Sequence, residues 1–561
     1  MEKTYVWKVG GPAGFGITTL GPVFAKILKD CGFYVHGYLE YPSLIRGGYN
    51  SYQMVFGKTP VKAPKKRIDL YIALDDVCFE KETFDDDTIV IGDFDNLKKA
   101  DGIKGRKINI PLKKIVEDLN GKDIMRNTAA MGASAAALGL PKDVMTEVVK
   151  VSYPGKISQP NIDAACAGYD ACSAHIPLEI TKNDACKTAA VMTGNEAVAI
   201  GAIRAGVSFF STYPMTPASS ILHYLAKEAR DYHVTVKHAE DEIAGILMAI
   251  GAAHAGGRAM TGTSGGGFAL MNEGLGLAAI TETPLVIALS QRPGPATGMP
   301  TWTEQADLRY ALHASQGEFL RAIFTPADLD EAYRFTVDAF NVAEKYQIPV
   351  FVLLDKFLSE SHFMTTGMDT NYGTMDRGMI YEGDPEKPFD HFQRYAEAEN
   401  GVCKRPMMGT PGGLFIAASN EHDKTGFVID TADNRIYQTD RRFKKQPFVA
   451  AEMPHPYLIG KPDAKLTFVC FGSMKQVLDE AMKFDDRFNF VYFPAVHPLD
   501  WEKVAELLKG KNLCAFENNK TAQLKSIITE NTGIVIEKQF LKYDGRPFFT
   551  EEVLEYVNEV L

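Results

Sequence analysis

Short apolar runs alternate with amphipathic stretches along most of the chain. YVWKVGG at 5–11 reads as a strand, ITTLGPVFAKILKDCG at 17–32 as an amphipathic helix closed by Gly32, and DLYIALD and DTIVIGD as later buried strands. This order predicts an α/β unit with a mostly parallel sheet over 1–155. From 156 to 187 the pattern dissolves into a linker-like stretch. A second alternating series over 188–360 has strand candidates GVSFFST, VTVKH, RAMTGT, PLVIALS and IPVFVLL, with helices at about 217–230, 241–255, 266–280 and 326–343 between them. Residues 361–460 show little periodicity but keep frequent aromatics, which predicts an ordered, irregular segment rather than disorder. LTFVCFGS, NFVYFPA and LCAFEN then mark strands of a last α/β domain over 461–561. The fold class predicted is α/β, with several doubly wound parallel-sheet domains.

Size and charge narrow the picture. With 561 residues, the chain is long enough for three or four domains. No apolar run approaches the roughly 20 residues that a membrane span needs. MEKTYVWKVGG enters a strand pattern with no basic-then-apolar signal segment, so a cytoplasmic protein that does not bind membranes is expected. A net charge of −11 argues against nucleic acid as a partner. The basic stretch GKTPVKAPKKR at 57–67 is either a solvated loop or an anion-docking patch. None of the eight cysteines makes a CxxC pair, so no sequence-local zinc or iron–sulfur site is expected and no metal ligand is assigned.

Four stretches carry candidate chemistry. GGPAGFG at 10–16 lies between a strand and a helix. It reads as a tight structural turn, as a cradle for a phosphate-bearing ligand, or, with Glu40, as a nicotinamide site. In STYPMTPASS at 211–220, Pro214 ends the strand, Thr216 has N-cap chemistry and Pro217 suits the first helical position. The helix start would then face the carboxyl end of a parallel strand, where a carboxylate is favoured. HAEDEIAG places Glu240 and Glu242 at a helix start, as dipole stabilisers or as site acids, and TGTSGGG supplies another glycine turn. Arg292 ends the strand PLVIALS, where a guanidinium can pair bidentately with a carboxylate or simply lie at the surface. Pro293, Gly294, Pro295, Gly298 and Pro300 make the following loop stiff.

GGPAGFG followed by LEYPSLIRGGYNS resembles the gamma domain of 2-oxoacid:ferredoxin oxidoreductases. YPMTP, HAEDEIAG, TGTSGGG and QRPGPATGMPT, in that order, resemble the alpha subunit of the same family. VCFGSMKQVLDEA, VYFPAVHPLD, AFENNKTAQL and KYDGRPF extend the likeness over nearly the whole chain. The resemblance implies a gamma domain, a thiamine diphosphate pyrimidine-binding domain, an intermediate segment and a transketolase-C-terminal-like domain. It makes Glu242, with Glu240 as fallback, the acid that holds a proton against N1′ of the aminopyrimidine. Thr216 becomes a substrate-pocket residue alongside Tyr213 and Pro214, and Arg292 the carboxylate clamp with Thr301 beside it. Gly265 and Gly266 contact the cofactor, while Gly11, Gly14, Gly16 and Arg46 are candidates for coenzyme A or phosphate. Pro12, Met215 and Ala296 depart from the residues usual in the family.

The GDG-then-Asn signature that holds Mg²⁺ at the diphosphate is missing: IGDFDN lacks the second glycine and YDGRP the first. The family frame therefore implies a beta subunit carrying the diphosphate half-site, Mg²⁺ and a 4Fe–4S cluster, in an (αβ)2 assembly with ferredoxin as electron acceptor. The implied reaction is coenzyme A-dependent oxidative decarboxylation of a 2-oxoacid, reversible with strong reductant. KRPMMGTPGG and SNEHDKTG resemble the 2-oxoglutarate branch. Two rivals are a non-oxidative thiamine-dependent decarboxylase or transketolase relative and a scaffold that has lost its site.

Overall fold

The computed structural model describes residues 3–42, 48–176, 178, 180, 183–365, 367–388 and 392–561. Arg46 lies outside the described residues. The strands in chain order begin with β1 (Thr4–Pro12), β2 (Tyr34–Glu40), β3 (Tyr49–Gly57), β4 (Leu70–Ala73), β5 (Ile89–Gly92), β6 (Arg106–Asn109) and β7 (Ala190–Thr193). There follow β8 (Phe209–Thr212), β9 (Thr235–His238), β10 (Ala259–Thr263), β11 (Leu285–Gln291), β12 (Ala322–Phe324), β13 (Pro349–Asp355) and β14 (His362–Thr365). The remainder are β15 (Ile380–Tyr381), β16 (Arg405–Pro406), β17 (Tyr457–Ile459), β18 (Leu466–Phe471), β19 (Phe488–Phe493), β20 (Ala495–His497), β21 (Leu513–Glu517) and β22 (Lys538–Leu541).

Three α/β sheets carry the chain. The first has the order β6-β5-β4-β1-β3-β2-β14-β7, and only β1, β4, β5 and β6 run parallel. β3 pairs antiparallel with both β1 and β2, because the short connection between β2 and β3 permits a hairpin but no crossover. β14 and β7 return from far along the chain to extend this sheet past β2. The central sheet, β20-β12-β13-β11-β10-β8-β9, is parallel except for β20, which comes from the last domain. Its inner strands are buried on both faces, as helix-covered parallel strands must be. The last sheet, β17-β19-β18-β21-β22, is parallel but for β17.

Two expectations fail here. The linker-like stretch holds the helix Ser158–Ala171, which packs on the helix Arg126–Ala137. A Cβ on Gly132 would stand 1.9 Å from the Ala165 carbonyl oxygen, and one on Gly168 would stand 1.9 Å from that of Ala129. Such a contact is written in small residues, so it leaves no apolar periodicity to read. The basic stretch 57–67 is neither a solvated loop nor an anion patch. Lys62 pairs with Asp479, its amide donates to Glu480 at 3.1 Å, and Lys66 pairs with Glu555 at 3.2 Å. It straps the first sheet to the last domain.

The β2·β14 seam buries two neutral imidazoles. His36 lies between Phe357 and Phe363, at 5.5 and 4.8 Å, with neither ring nitrogen partnered. Burial pushes His36 down to about 3, with His362 adding repulsion, and burial pushes His362 itself down to about 4. Below the usual value of about 6.5 the unfolded chain takes up protons that the folded seam refuses. This contribution is therefore full above pH 6.5 and is lost as pH falls toward the folded values. His36→Phe should show a shallower fall in melting temperature between pH 7 and pH 4.5 than the unaltered protein, measured by calorimetry.

Candidate active site

The loops that follow β8, β10 and β11 leave the carboxyl edge of the central sheet side by side, as the strand order requires. After β8, the chain turns through Tyr213 and Pro214 into a cis Thr216–Pro217 bond. The helix begins at Ser219 with no side-chain cap, so Thr216 is not the N-cap and Pro217 is not the first helical residue. The backbone of this turn serves other partners. The Thr216 carbonyl accepts from Arg292 Nη1 at 2.7 Å, and the Pro217 carbonyl accepts from the buried Asn195 Nδ2 at 2.7 Å. Asn195 Nδ2 also donates to Ser220 Oγ at 2.8 Å, which locks the turn to the helix behind it.

After β9, Asp241 caps the helix Glu242–His254 by accepting from the Ala244 amide at 2.8 Å. Glu242, the first helical residue, is then only 4% exposed, whereas Glu240 faces solvent. Oε1 of Glu242 is buried without a hydrogen-bond partner. It lies against the glycine turn after β10: a Cβ on Gly267 would stand 2.6 Å from it and 2.3 Å from Thr263 Oγ1. The Gly267 amide points at Met215 Sδ at 3.2 Å, joining this turn to the one after β8. Gly265 lies under Asp307, whose Oδ2 would be 2.4 Å from an added Cβ, while Gly266 stays open, with the Ala296 carbonyl oxygen nearest at 3.7 Å.

After β11, Arg292 is half-buried and the stiff loop folds back over the glycine turn. Gly294–Pro295 is cis, and Ala296 takes φ 53°, a left-handed conformation that costs a non-glycine residue about 1–2 kcal/mol. Thr301 is buried with Oγ1 unpartnered. The loop is clamped from the last domain. Thr303 donates its amide to the Gly545 carbonyl at 3.1 Å, and the Arg546 guanidinium stacks 3.4 Å from the Trp302 ring centroid.

Sequence reasoning missed two acids in this loop, Glu304 and Asp307. Burial pushes Asp307 up to about 6 against the pull of Arg292, and burial with the Asp307 charge pushes Glu304 up to about 7. Burial also lowers Arg292, with Asp307 opposing. The signal was the pair of acids three residues apart in TEQAD, directly after the GMPTW turn.

The glycines of the first cluster lie on the first sheet, apart from this edge. Gly11 packs on Leu74, with an added Cβ 3.1 Å from Leu74 Cβ, whereas Gly14 faces open space. Gly16 borders a cavity of about 480 Å³ lined also by Lys122, Asn127, Tyr153 and Lys156.

A buried carboxyl oxygen without a partner, set over a turn with no side chains, suits a flat heteroaromatic ring that brings a nitrogen to the acid. The residues present fit the pyrimidine of thiamine diphosphate. Comparison with known families agrees. Residues 200–408 match the thiamine diphosphate-binding region of the pyruvate flavodoxin/ferredoxin oxidoreductases, and residues 6–171 match the pyruvate ferredoxin/flavodoxin oxidoreductase family. The 2-oxoacid:ferredoxin oxidoreductase subunit alpha of Saccharolobus solfataricus is 30% identical across 99% of this chain and 97% of that protein. The chain belongs to the 2-oxoacid:ferredoxin oxidoreductase family.

The 2-oxoglutarate synthase subunit KorA of Methanocaldococcus jannaschii is 34% identical over 52% of this chain and 77% of that protein. Among solved structures, 2-oxoglutarate:ferredoxin oxidoreductase from Magnetococcus marinus, with 2-oxoglutarate, coenzyme A and succinyl-CoA bound, superposes over both full chains. Its TM-score is 0.90 at 28% identity. This oxidoreductase subunit thus keeps the α/β fold of the family, and no helix of its described residues is long and apolar enough to cross a membrane.

A methyl group tests the glycine turn. Gly267→Ala should lower stability by roughly 1–3 kcal/mol through overpacking, and should weaken thiamine diphosphate binding by at least about tenfold, a 1.4 kcal/mol effect. Gly266→Ala has room and should leave the melting temperature unchanged. Thermal unfolding with and without the cofactor reads both.

Proposed function

We propose that this chain is the catalytic alpha subunit, with a fused gamma domain, of an oxidoreductase that converts 2-oxoglutarate, coenzyme A and oxidised ferredoxin into succinyl-CoA, carbon dioxide and reduced ferredoxin. The reading is carried by the meeting of Glu242, the Arg292–Thr216 pair and the glycine turn at one sheet edge. Glu242 would offer its unpartnered oxygen to a ring nitrogen of the cofactor. Arg292 receives the substrate's carboxylate through guanidinium donors not used by Thr216, and Thr301 and Tyr213 line the approach. The folded-back 293–303 loop keeps water from the reacting carbon. Thiamine diphosphate, when bound, supplies the electron sink for decarboxylation.

Choice of 2-oxoglutarate is supported by the relatives named for it and by the dicarboxylate held in the superposed Magnetococcus enzyme. Coenzyme A is proposed to bind the first domain, with Gly16, Lys122 and Lys156 of one cavity, and Gly14 in the same turn, as contacts for its phosphates. Gly11 packs on Leu74 in the strand that leads into that turn.

A beta subunit is proposed to supply the diphosphate half-site, Mg²⁺ and the iron–sulfur cluster, forming (αβ)2. The outer face of the helix Glu242–His254 supports a partner there. Ile243, Leu247 and Met248 are 47%, 43% and 44% exposed, and Leu270 on the helix of the glycine turn is 51% exposed. Large apolar side chains exposed on the elements that frame the site suit an interface better than solvent.

Three measurements test the proposal. The chain purified alone should be colourless and inactive, and the complex should turn over 2-oxoglutarate faster than pyruvate or branched-chain 2-oxoacids in initial-rate assays. Pyruvate as the preferred substrate would overturn the assignment. Glu242→Gln should assemble normally, as seen by size exclusion, yet lose about 10²-fold or more in kcat, in keeping with removal of an acid–base group.

A further inference from the structure

The segment 303–307 is held more rigidly than its loop position requires. The Gln305 amide donates to the Asn518 carbonyl at 2.7 Å, and its Nε2 donates to Asp355 Oδ2 at 2.9 Å and to the Phe471 carbonyl at 3.2 Å. Asn519 Nδ2 donates to the Gln305 carbonyl at 3.1 Å. Two residues on, the Asp307 amide donates to Gln291 Oε1 at 3.0 Å, and Gln291 directly precedes Arg292. Asp307 is therefore fixed in relation to Arg292. Its Oδ2 is buried, pressed on Gly265 and without a hydrogen-bond partner. Arg292 and Asp307 are the charges that act on one another, yet among the described residues they form no ion pair.

A 2-oxoacid presents only acceptors, so an ionised Asp307 cannot bind it and repels it. Arg292 attracts it. The clamp is thus nearly neutral as a pair and holds the carboxylate by directed hydrogen bonds more than by net charge. That balance matters because the carboxylate becomes neutral carbon dioxide. A strong grip on the ground state would be lost on the way to the transition state and would raise the barrier. Resting on the reading of Arg292 as the clamp, we propose that Asp307 acts through Arg292 as a charge-balancing, positioning residue, weakening the hold on the substrate carboxylate so that it leaves readily as carbon dioxide.

The test uses the complex with its partner subunit and two unreactive isosteres, oxamate for pyruvate and N-oxalylglycine for 2-oxoglutarate. Asp307→Asn should bind both about tenfold more tightly as inhibitors, with KM and kcat for 2-oxoglutarate falling together, the signature of lost ground-state destabilisation. A purely structural role would not tighten inhibitors. Asp307→Ser removes the charge without bulk and should do the same. Inhibition that is unchanged or weaker in both variants overturns the inference. Arg292→Gln, assayed alongside, separates the two readings. If it leaves oxamate inhibition intact, the clamp assignment fails. If it weakens inhibition while the Asp307 variants do not strengthen it, the Asp307 inference fails alone.

Discussion

A guanidinium drawn half out of water must find acceptors, and Arg292 finds one in a backbone carbonyl rather than a carboxylate. The hydrogen bond to Thr216 joins the loops after β8 and β11 across the intervening strand β10, over the glycine turn. The other features of the edge answer to that bond. The 216–218 turn stays out of the helix because its carbonyls are taken by Arg292 and Asn195. Gly267 must be bare because a Cβ there would meet Thr263 Oγ1 and Glu242, while its amide is held toward Met215 in the turn after β8.

Charge also fastens the irregular segment to the central domain. Glu344, on the helix Leu329–Tyr346, pairs with Arg258 at 2.6 Å and with Arg377 and Arg405 at 2.8 Å. Glu282 pairs with Arg441 and Lys445. Burial alone would push the Glu282 carboxyl up, but Lys445 and Arg441 hold it well below the usual carboxylate range. Buried pairs of this kind add little net stability over apolar packing, but removing one partner is costly, about 3–5 kcal/mol. They fix where the segment docks. Lys356 does similar work nearer the site, donating to the Leu39 carbonyl at 2.6 Å and so tying β2 to the end of β13.

This division explains what the sequence made legible. Strands such as PLVIALS and IPVFVLL are continuous apolar runs and could be placed within a residue or two, and the loops that leave their carboxyl ends follow from topology. The β2–β3 hairpin was not legible, because direction depends on the length of a connection and not on strand composition. The helix Ser158–Ala171 hid behind alanine and glycine, whose packing is tight but apolar only weakly. The basic 57–67 stretch resembled a ligand site because its acids lie more than four hundred residues away in the chain. Asp307 was missed for a similar reason: its meaning comes from Arg292 and Gly265, which only the fold brings together.

Unpartnered buried polar atoms are scattered through the chain, but a group of them gathers at the carboxyl edge of the central sheet. Buried polar groups in a finished protein are nearly always paired. The seam imidazoles of His36 and His362 break the rule where aromatic packing and a neutral ring lower the penalty. The carboxyl edge breaks it repeatedly, at Glu242, Ser264, Thr301 and Asp307, with hydroxyls and carboxyls that aromatic packing does not excuse. Several such atoms converging on a turn without side chains amount to a surface shaped for something polar that is not part of this chain. The apolar residues beside it on the helix Glu242–His254 are equally unsatisfied, but for the opposite solvent. In the function proposed, a ligand meets the first set of groups and a protein partner the second, which would put substrate binding and complex closure at one edge.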